Sequence, residues 1–202
     1  MHIVCSDLEG VFVPEIWIGV AEKTGIKELR LTTRDISDYD ILMKKRLAIL
    51  DKHNLKMQDI QEVIESLDPF EGAVEFLDWL RPRSQVIIIS DTFTQFAGPL
   101  MKKLGWPTLI CNSLSLNKDG SIIDYNIRQK DGKQKAVLSL KNLNYQIIAV
   151  GDSYNDITML KAADTGILFR PPDNIKNEFK ELPVSYNYDE LKKIIRKTLE
   201  TT

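Results

Sequence analysis

Only two cysteines, Cys5 and Cys111, occur in the 202 residues. They are too few and too far apart for a disulfide framework or for a zinc site with its usual ligand spacing. Both are expected as buried thiols. No apolar run approaches the roughly 18 residues needed to cross a bilayer, so no membrane partner is expected. The opening Met1–Asp7 meets charge at once, without the basic and then apolar stretch of a secretory leader. A soluble, cytoplasmic protein is the expectation. Charge excess is also missing: 27 Lys and Arg stand against 29 Asp and Glu, a net of −2. The basic footprint of a nucleic-acid binder is therefore absent. No two glycines have the spacing of Gly-x-Gly-x-x-Gly, which counts against a dinucleotide-binding oxidoreductase.

What remains is a chain with 43% hydrophobic residues, able to bury a substantial core. His2–Ser6, Gln85–Ile89 and Gln146–Val150 are short apolar runs, each followed at once by acidic residues: Asp7, then Asp91 after Ser90, then Asp152 after Gly151. Continuous Val- and Ile-rich runs of this length read as central strands of a parallel sheet buried on both faces. Thr165–Phe169 reads as a fourth strand, with Phe93–Leu104 and Tyr154–Ala163 as helices. The fold class expected is α/β, a Rossmann-like parallel sheet with helices on both faces. In such sheets ligands gather beyond the carboxyl ends of the strands, where Asp7, Ser90, Asp91 and Asp152 fall.

About 75 residues separate the first two strands, far more than one crossover helix needs. Within them Glu15–Thr24, Tyr39–His53 and Met57–Leu67 show helical periodicity. A small helical cap, 14–70, is therefore expected to be inserted into a core made of 1–13 and 71–202. Glu71–Leu80 leads back into the core. Leu114–Leu116 and Ile122–Tyr125 flank Asn117-Lys118-Asp119-Gly120 as a hairpin, and Tyr188–Leu199 closes the chain as an amphipathic helix.

Four groups of residues carry chemistry. Asp7-Leu8-Glu9-Gly10-Val11 follows a strand and can present one carboxylate as nucleophile with a second two residues on; a surface turn is the plainer reading. Ser90-Asp91-Thr92 can offer a hydroxyl, and the N–H groups of a following helix, to phosphate oxygens; an ordinary helix cap is the alternative. Lys130, Lys133 and Lys135 crowd one segment, and any of them could be a solvated surface charge or the cation of a phosphoryl site. Lys133 is preferred. Gly151-Asp152-Ser153-Tyr154-Asn155-Asp156 supplies hard oxygen ligands of the kind that suit Mg²⁺.

In this order the four groups resemble the motifs of the haloacid dehalogenase-like phosphatase superfamily. Val13-Pro14-Glu15, Lys45-Arg46-Leu47 and Pro69-Phe70-Glu71-Gly72-Ala73 are similar to the phosphoserine phosphatase family within it. Glu9 in place of the usual Asp, with Pro14-Glu15-Ile16-Trp17, Thr33-Arg34-Asp35-Ile36 and Ser90-Asp91-Thr92-Phe93, resembles the branch that joins phosphoserine hydrolysis to phosphoryl transfer onto homoserine. The resemblance implies Asp7 as covalent nucleophile, Glu9 as acid and base, and Lys133 as the neutralising cation. It implies Mg²⁺ on the carboxylates of Asp7 and Asp152 and the backbone carbonyl of Glu9, with Asp156 standing behind them. Glu15 and Arg46 would bind the amino-acid ammonium and carboxylate; Ser90, Asp91, Lys133 and Asn155 would complete the substrate site. The expected partners are phosphoserine and homoserine, in a monomer or homodimer. Alternatives are phosphoserine hydrolysis without transfer, another small phosphomonoester, or a receiver-like phospho-acceptor domain.

Overall fold

The computed structural model describes residues 1–32, 35, 36 and 38–201. Thr33 and Arg34, part of the resemblance above, lie outside the described residues. Seven strands form one sheet: β1 (His2–Ser6), β2 (Gln85–Phe93), β3 (Thr108–Leu116), β4 (Ile122–Asn126), β5 (Gln146–Gly151), β6 (Thr165–Phe169) and β7 (Val184–Ser185). Their spatial order is β4-β3-β2-β1-β5-β6-β7. Every neighbouring pair is parallel except β3 with β4.

Alternation along the central strands sorts their side chains onto two faces. Val4, Ile88, Ile148, Val150, Ile167 and Phe169 point one way; Ile3, Cys5, Ile89, Ile147, Ala149 and Leu168 point the other. The first face is covered by α4 (Ala73–Leu80), α5 (Thr94–Lys103) and α9 (Tyr188–Glu200) through Phe76, Leu77, Phe96, Leu100, Leu191 and Ile195. The second is covered by α6 (Gly132–Asn142), α7 (Ile157–Ala162) and α8 (Asp173–Glu178) through Val137, Met159, Leu160 and Ile175. This double coverage lets the strands be apolar throughout.

Between β1 and α4 lie α1 (Ile16–Thr24), a 3-10 turn (Lys27–Arg30), α2 (Tyr39–Lys52) and α3 (Met57–Glu65). Trp17, Met43, Leu50, Ile60 and Ile64 from this segment join the apolar cluster on the first face, and Trp17 meets Phe96 edge-on with ring centroids 5.4 Å apart. The segment also touches the β3–β4 hairpin. Lys56 Nζ lies 3.1 Å from Asp119, the Met57 N–H donates to the Gly120 carbonyl, and the Tyr125 hydroxyl donates to Asp40. No helix among the described residues is long and apolar enough to cross a membrane.

Three sequence expectations need correction. β2 does not stop at Ile89 but continues through a register shift to Phe93, so Ser90–Thr92 belong to a bulged strand end rather than to the start of α5. Tyr154–Ala163 is not one helix: it opens as a 3-10 turn (Tyr154–Asp156) before α7. Cys111 is only half-buried, whereas Cys5 is fully buried and its thiol is pushed up to about 12 by desolvation.

Candidate active site

β1 lies where the strand order reverses, with β2 on one side and β5 on the other; a crevice opens at such a point. Register then decides which residues meet there. Ser6 pairs with Ile88 and with Val150, and the Asp7 N–H donates to the Val150 carbonyl at 2.9 Å. Asp7 consequently stands beside Gly151-Asp152 and close to the end of β2. Two glycines make room for the carboxylates. A Cβ at Gly10, whose φ is 77°, would collide with the Asp152 side chain, and one at Gly151 would collide with Asp156.

Lys133, at the start of α6, is 4% exposed, while Lys130 and Lys135 face solvent. Its Nζ lies 2.9 Å from Asp7 Oδ2, 2.7 Å from Asp156 Oδ1 and 3.8 Å from Asp91 Oδ2. Asp7 Oδ1 accepts from the Leu8 N–H at 2.7 Å. Asp156 Oδ2 accepts from the Asp152 and Ser153 N–H groups at 3.0 and 3.2 Å. Burial drives the Asp7 carboxyl well above the ordinary range and Asp156 and Asp152 add to this, while Lys133 opposes it. Burial alone would lower the Lys133 ammonium, but Asp156, Asp7 and Asp91 outweigh it and hold it well above its ordinary value.

One ammonium thus serves two buried carboxylates, with the exposed Asp91 at a longer distance. Asp7, Asp152 and Asp156 each offer an oxygen atom, all within 4.8 Å of one another. This oxygen-only donor set fits a hard divalent cation such as Mg²⁺, whose charge would restore ionised carboxylates. Asp156 is thus gathered close to Asp7 and Asp152. Its two oxygens are nevertheless engaged by Lys133 and backbone N–H groups.

Ser90 Oγ is buried and accepts from the Thr92 N–H at 3.2 Å. Neither Ser90 nor Asp91 caps α5, whose first turn has no side-chain cap. Asp91 Oδ2 instead accepts from Asn155 Nδ2 at 2.9 Å.

A second cluster lies on the side of α1 and α2. Glu9 Oε2 accepts from the N–H of Ile16, the first residue of α1, at 2.8 Å. Burial, with Glu15 as a close neighbour, pushes Glu9 up to about 8, against the pull of that N–H and of Arg46. Arg46 is no solvated surface arginine: it is 7% exposed, and its guanidinium lies over the Trp17 ring at 4.6 Å. Nη2 donates to the Leu31 carbonyl at 2.8 Å, Nε is buried without a partner, and no carboxylate lies within 4.0 Å among the described residues. Burial pulls Arg46 down to about 10, and Tyr39, Glu9 and Glu15 only partly offset it.

The haloacid dehalogenase-like hydrolase family model matches residues 12–164, most of the chain. The chain belongs to this family. Over 193 residues, 96% of its length, the hydrolase is 60% identical to a phosphoserine phosphatase of Pseudomonas syringae pv. tomato, covering 81% of that protein. Over the same share it is 58% identical to phosphoserine phosphatase ThrH of Pseudomonas aeruginosa, covering 94% of that protein. Among solved structures, a phospho-aspartyl intermediate analogue of phosphoserine phosphatase superposes with a TM-score of 0.77 at 22% identity, over 96% of this chain and 98% of that one. At that identity the likeness is one of fold.

The hydrolase also places residues around the site that its sequence did not single out. Tyr39, at the start of α2, donates its hydroxyl to the Asp91 carbonyl at 3.4 Å, and Asn112 on β3 donates to the same oxygen at 3.1 Å. Thr92 Oγ1 is buried without a partner. Trp17 stood in the sequence only as part of a resemblance; the structure makes it the platform for Arg46. A tyrosine one residue after the Asp38 cap of α2 was the available signal for Tyr39, but nothing local connects it to Asp91.

Proposed function

We propose that this hydrolase is a Mg²⁺-dependent phosphoserine phosphatase that also passes the phosphoryl group to homoserine, through an aspartyl phosphate on Asp7. The observation that carries this reading is Arg46, a desolvated guanidinium with an orphaned Nε and no acid in contact, facing Glu9 and Glu15. A buried cation left in that state calls for an anionic ligand, and the adjacent Glu15 calls for a cationic one. A free amino acid brings both. Its carboxylate would fork onto Arg46 and its ammonium would meet Glu15, with 14–70 acting as the cap over the core.

At the other end, Asp7 attacks phosphorus while Lys133, the Ser90 hydroxyl, Asn155 and the N–H of Asp91 hold the phosphoryl oxygens. Mg²⁺, held by Asp7 and Asp152 with the Glu9 carbonyl and backed by Asp156, would supply the charge that lets a carboxylate approach a phosphate dianion. Glu9, protonated near neutrality because its carboxyl is raised to about 8, gives its proton to the departing serine oxygen. The serine O–P bond breaks as the Asp7–phosphorus bond forms. Glu9, now a carboxylate, takes a proton from water or the homoserine hydroxyl as that oxygen bonds to phosphorus and Asp7 is released.

Phosphorus NMR tests the scheme. Phosphoserine with enzyme and Mg²⁺ should give inorganic phosphate, homoserine should add a phosphohomoserine signal, and Asp7→Asn should abolish both. Phosphate without phosphohomoserine would restrict the enzyme to hydrolysis; an Asp7→Asn protein as fast as the parent would sink the proposal.

A further inference from the structure

Asp91 puts a carboxylate where the proposed reaction brings a phosphate dianion. Its Oδ2 accepts from Asn155 Nδ2 at 2.9 Å and lies 3.8 Å from Lys133 Nζ. Those are two of the donors assigned above to the phosphoryl oxygens. Carboxylate and phosphoryl oxygens are interchangeable acceptors for such donors, and both prefer charged ones. Two anions cannot share them without repulsion.

How Asp91 is attached matters as much as where it points. Its backbone carbonyl is anchored from two elements, by Asn112 Nδ2 at 3.1 Å from β3 and by the Tyr39 hydroxyl at 3.4 Å from α2. The side chain, by contrast, is 48% exposed. It can rotate towards solvent while the main chain, with the N–H that follows Ser90, stays in place.

We propose that the Asp91 carboxylate is a resident competitor: in the resting site it holds the Asn155 donor and stands within ion-pair reach of Lys133, it yields both to the substrate phosphoryl group, and it takes them back as inorganic phosphate leaves. A site with Lys133, Ser90 and a divalent cation would otherwise hold the product tightly. Asp91 weakens that hold. The inference rests on the phosphatase reading, because it gives meaning to phosphate as product.

Direct titration with inorganic phosphate tests it without turnover. With Mg²⁺ present, Asp91→Asn should bind phosphate about tenfold more tightly than the parent, because a neutral amide neither repels the dianion nor competes fully for Lys133. Asp91→Glu, which keeps the charge, should bind as weakly as the parent. The inhibition constant for phosphate during phosphoserine turnover should fall in parallel for Asp91→Asn. Binding by Asp91→Asn that is equal to or weaker than the parent's overturns the proposal and leaves Asp91 as a brace for Lys133. Equal tightening by Asp91→Glu overturns it too. Failure of the parent to turn over phosphoserine would strike the proposed function instead, and the phosphate titration would still decide the role of Asp91.

Discussion

The two ends of the site are built differently. At the proposed phosphoryl end the acids come from strand termini or from the turn after β5, and they are already bonded: Asp7 to Lys133 and the Leu8 N–H, Asp156 to Lys133 and two backbone N–H groups. At the proposed amino-acid end the groups come from the loop after β1 and from the segment between β1 and α4, and they are left wanting: Arg46 has an orphaned Nε, and Glu9 and Glu15 crowd one another. The first end is a finished electrostatic frame whose geometry the sheet enforces. On the proposed function the second is completed by a ligand carrying both charges. On that reading, chemistry is preorganised on the core, and selectivity falls to the segment between β1 and α4.

The sharpest way to break this comparison is to remove the hub of the bonded end. Lys133→Ala leaves Asp7, Asp156 and Asp91 facing one another without their shared ammonium, and phosphoserine turnover should fall by about a thousandfold. Lys135→Ala, two residues along the same helix but exposed, should stay near the parent rate. Steady-state kinetics on the pair is the measurement. A large loss at Lys135 with little at Lys133 would mean that α6 presents the other lysine in the working enzyme.

A smaller and different effect is expected at the unfinished end. Arg46→Ala should raise KM for phosphoserine by about ten- to a hundredfold, the range expected when a charged hydrogen-bonding partner is lost. The loss in kcat should be modest. Turnover of a phosphomonoester lacking the amino-acid carboxylate should be much less affected. Arg46→Lys should rescue poorly, since an ammonium can neither stack on Trp17 in the same way nor fork onto a carboxylate. If Arg46→Ala lowered kcat as steeply as Lys133→Ala, the division of labour between the two ends would be wrong.

The same contrast governs what could be read from the residues alone. β1, β5 and β6 were legible because a strand buried on both faces leaves an uninterrupted apolar run, and polar residues mark where it ends. Asp7 and Asp152 were legible for the same reason, and the preference for Lys133 matches the one lysine of three that turns inward. α6 was not read, since only Lys133 and Val137 are buried along it and its apolar stripe is weak. The tail of β2 was misread because Ser-Asp-Thr is also the composition of a helix cap. Tyr39 was invisible for a topological reason: its partner is a backbone carbonyl 52 residues away. Pairings made by the fold leave no local pattern.

The mildest test falls on Glu9, which belongs to both ends. Its backbone carbonyl lies in the loop after β1, beside Asp7, while its carboxyl group accepts from the N–H of Ile16 at the start of α1. That reach uses the methylene that distinguishes it from aspartate. In Glu9→Asp the shorter side chain cannot span the same distance without moving the loop or the helix. Loss of the side-chain acceptor that satisfies a helix N-terminal N–H costs about 1 kcal/mol, which for a chain of this size lowers Tm by roughly 2–4 °C. The acceptor side of Asp7 should change with it. As α1 is no longer held by its first N–H, homoserine should be placed less well than water against the proposed aspartyl phosphate, and the ratio of phosphohomoserine to phosphate should drop about threefold to tenfold, the scale on which sub-ångström misplacement acts. Thermal unfolding and phosphorus NMR on the same preparation read the two effects together. A drop in Tm with an unchanged product ratio would make Glu9 a cap for α1 and remove it from acceptor choice.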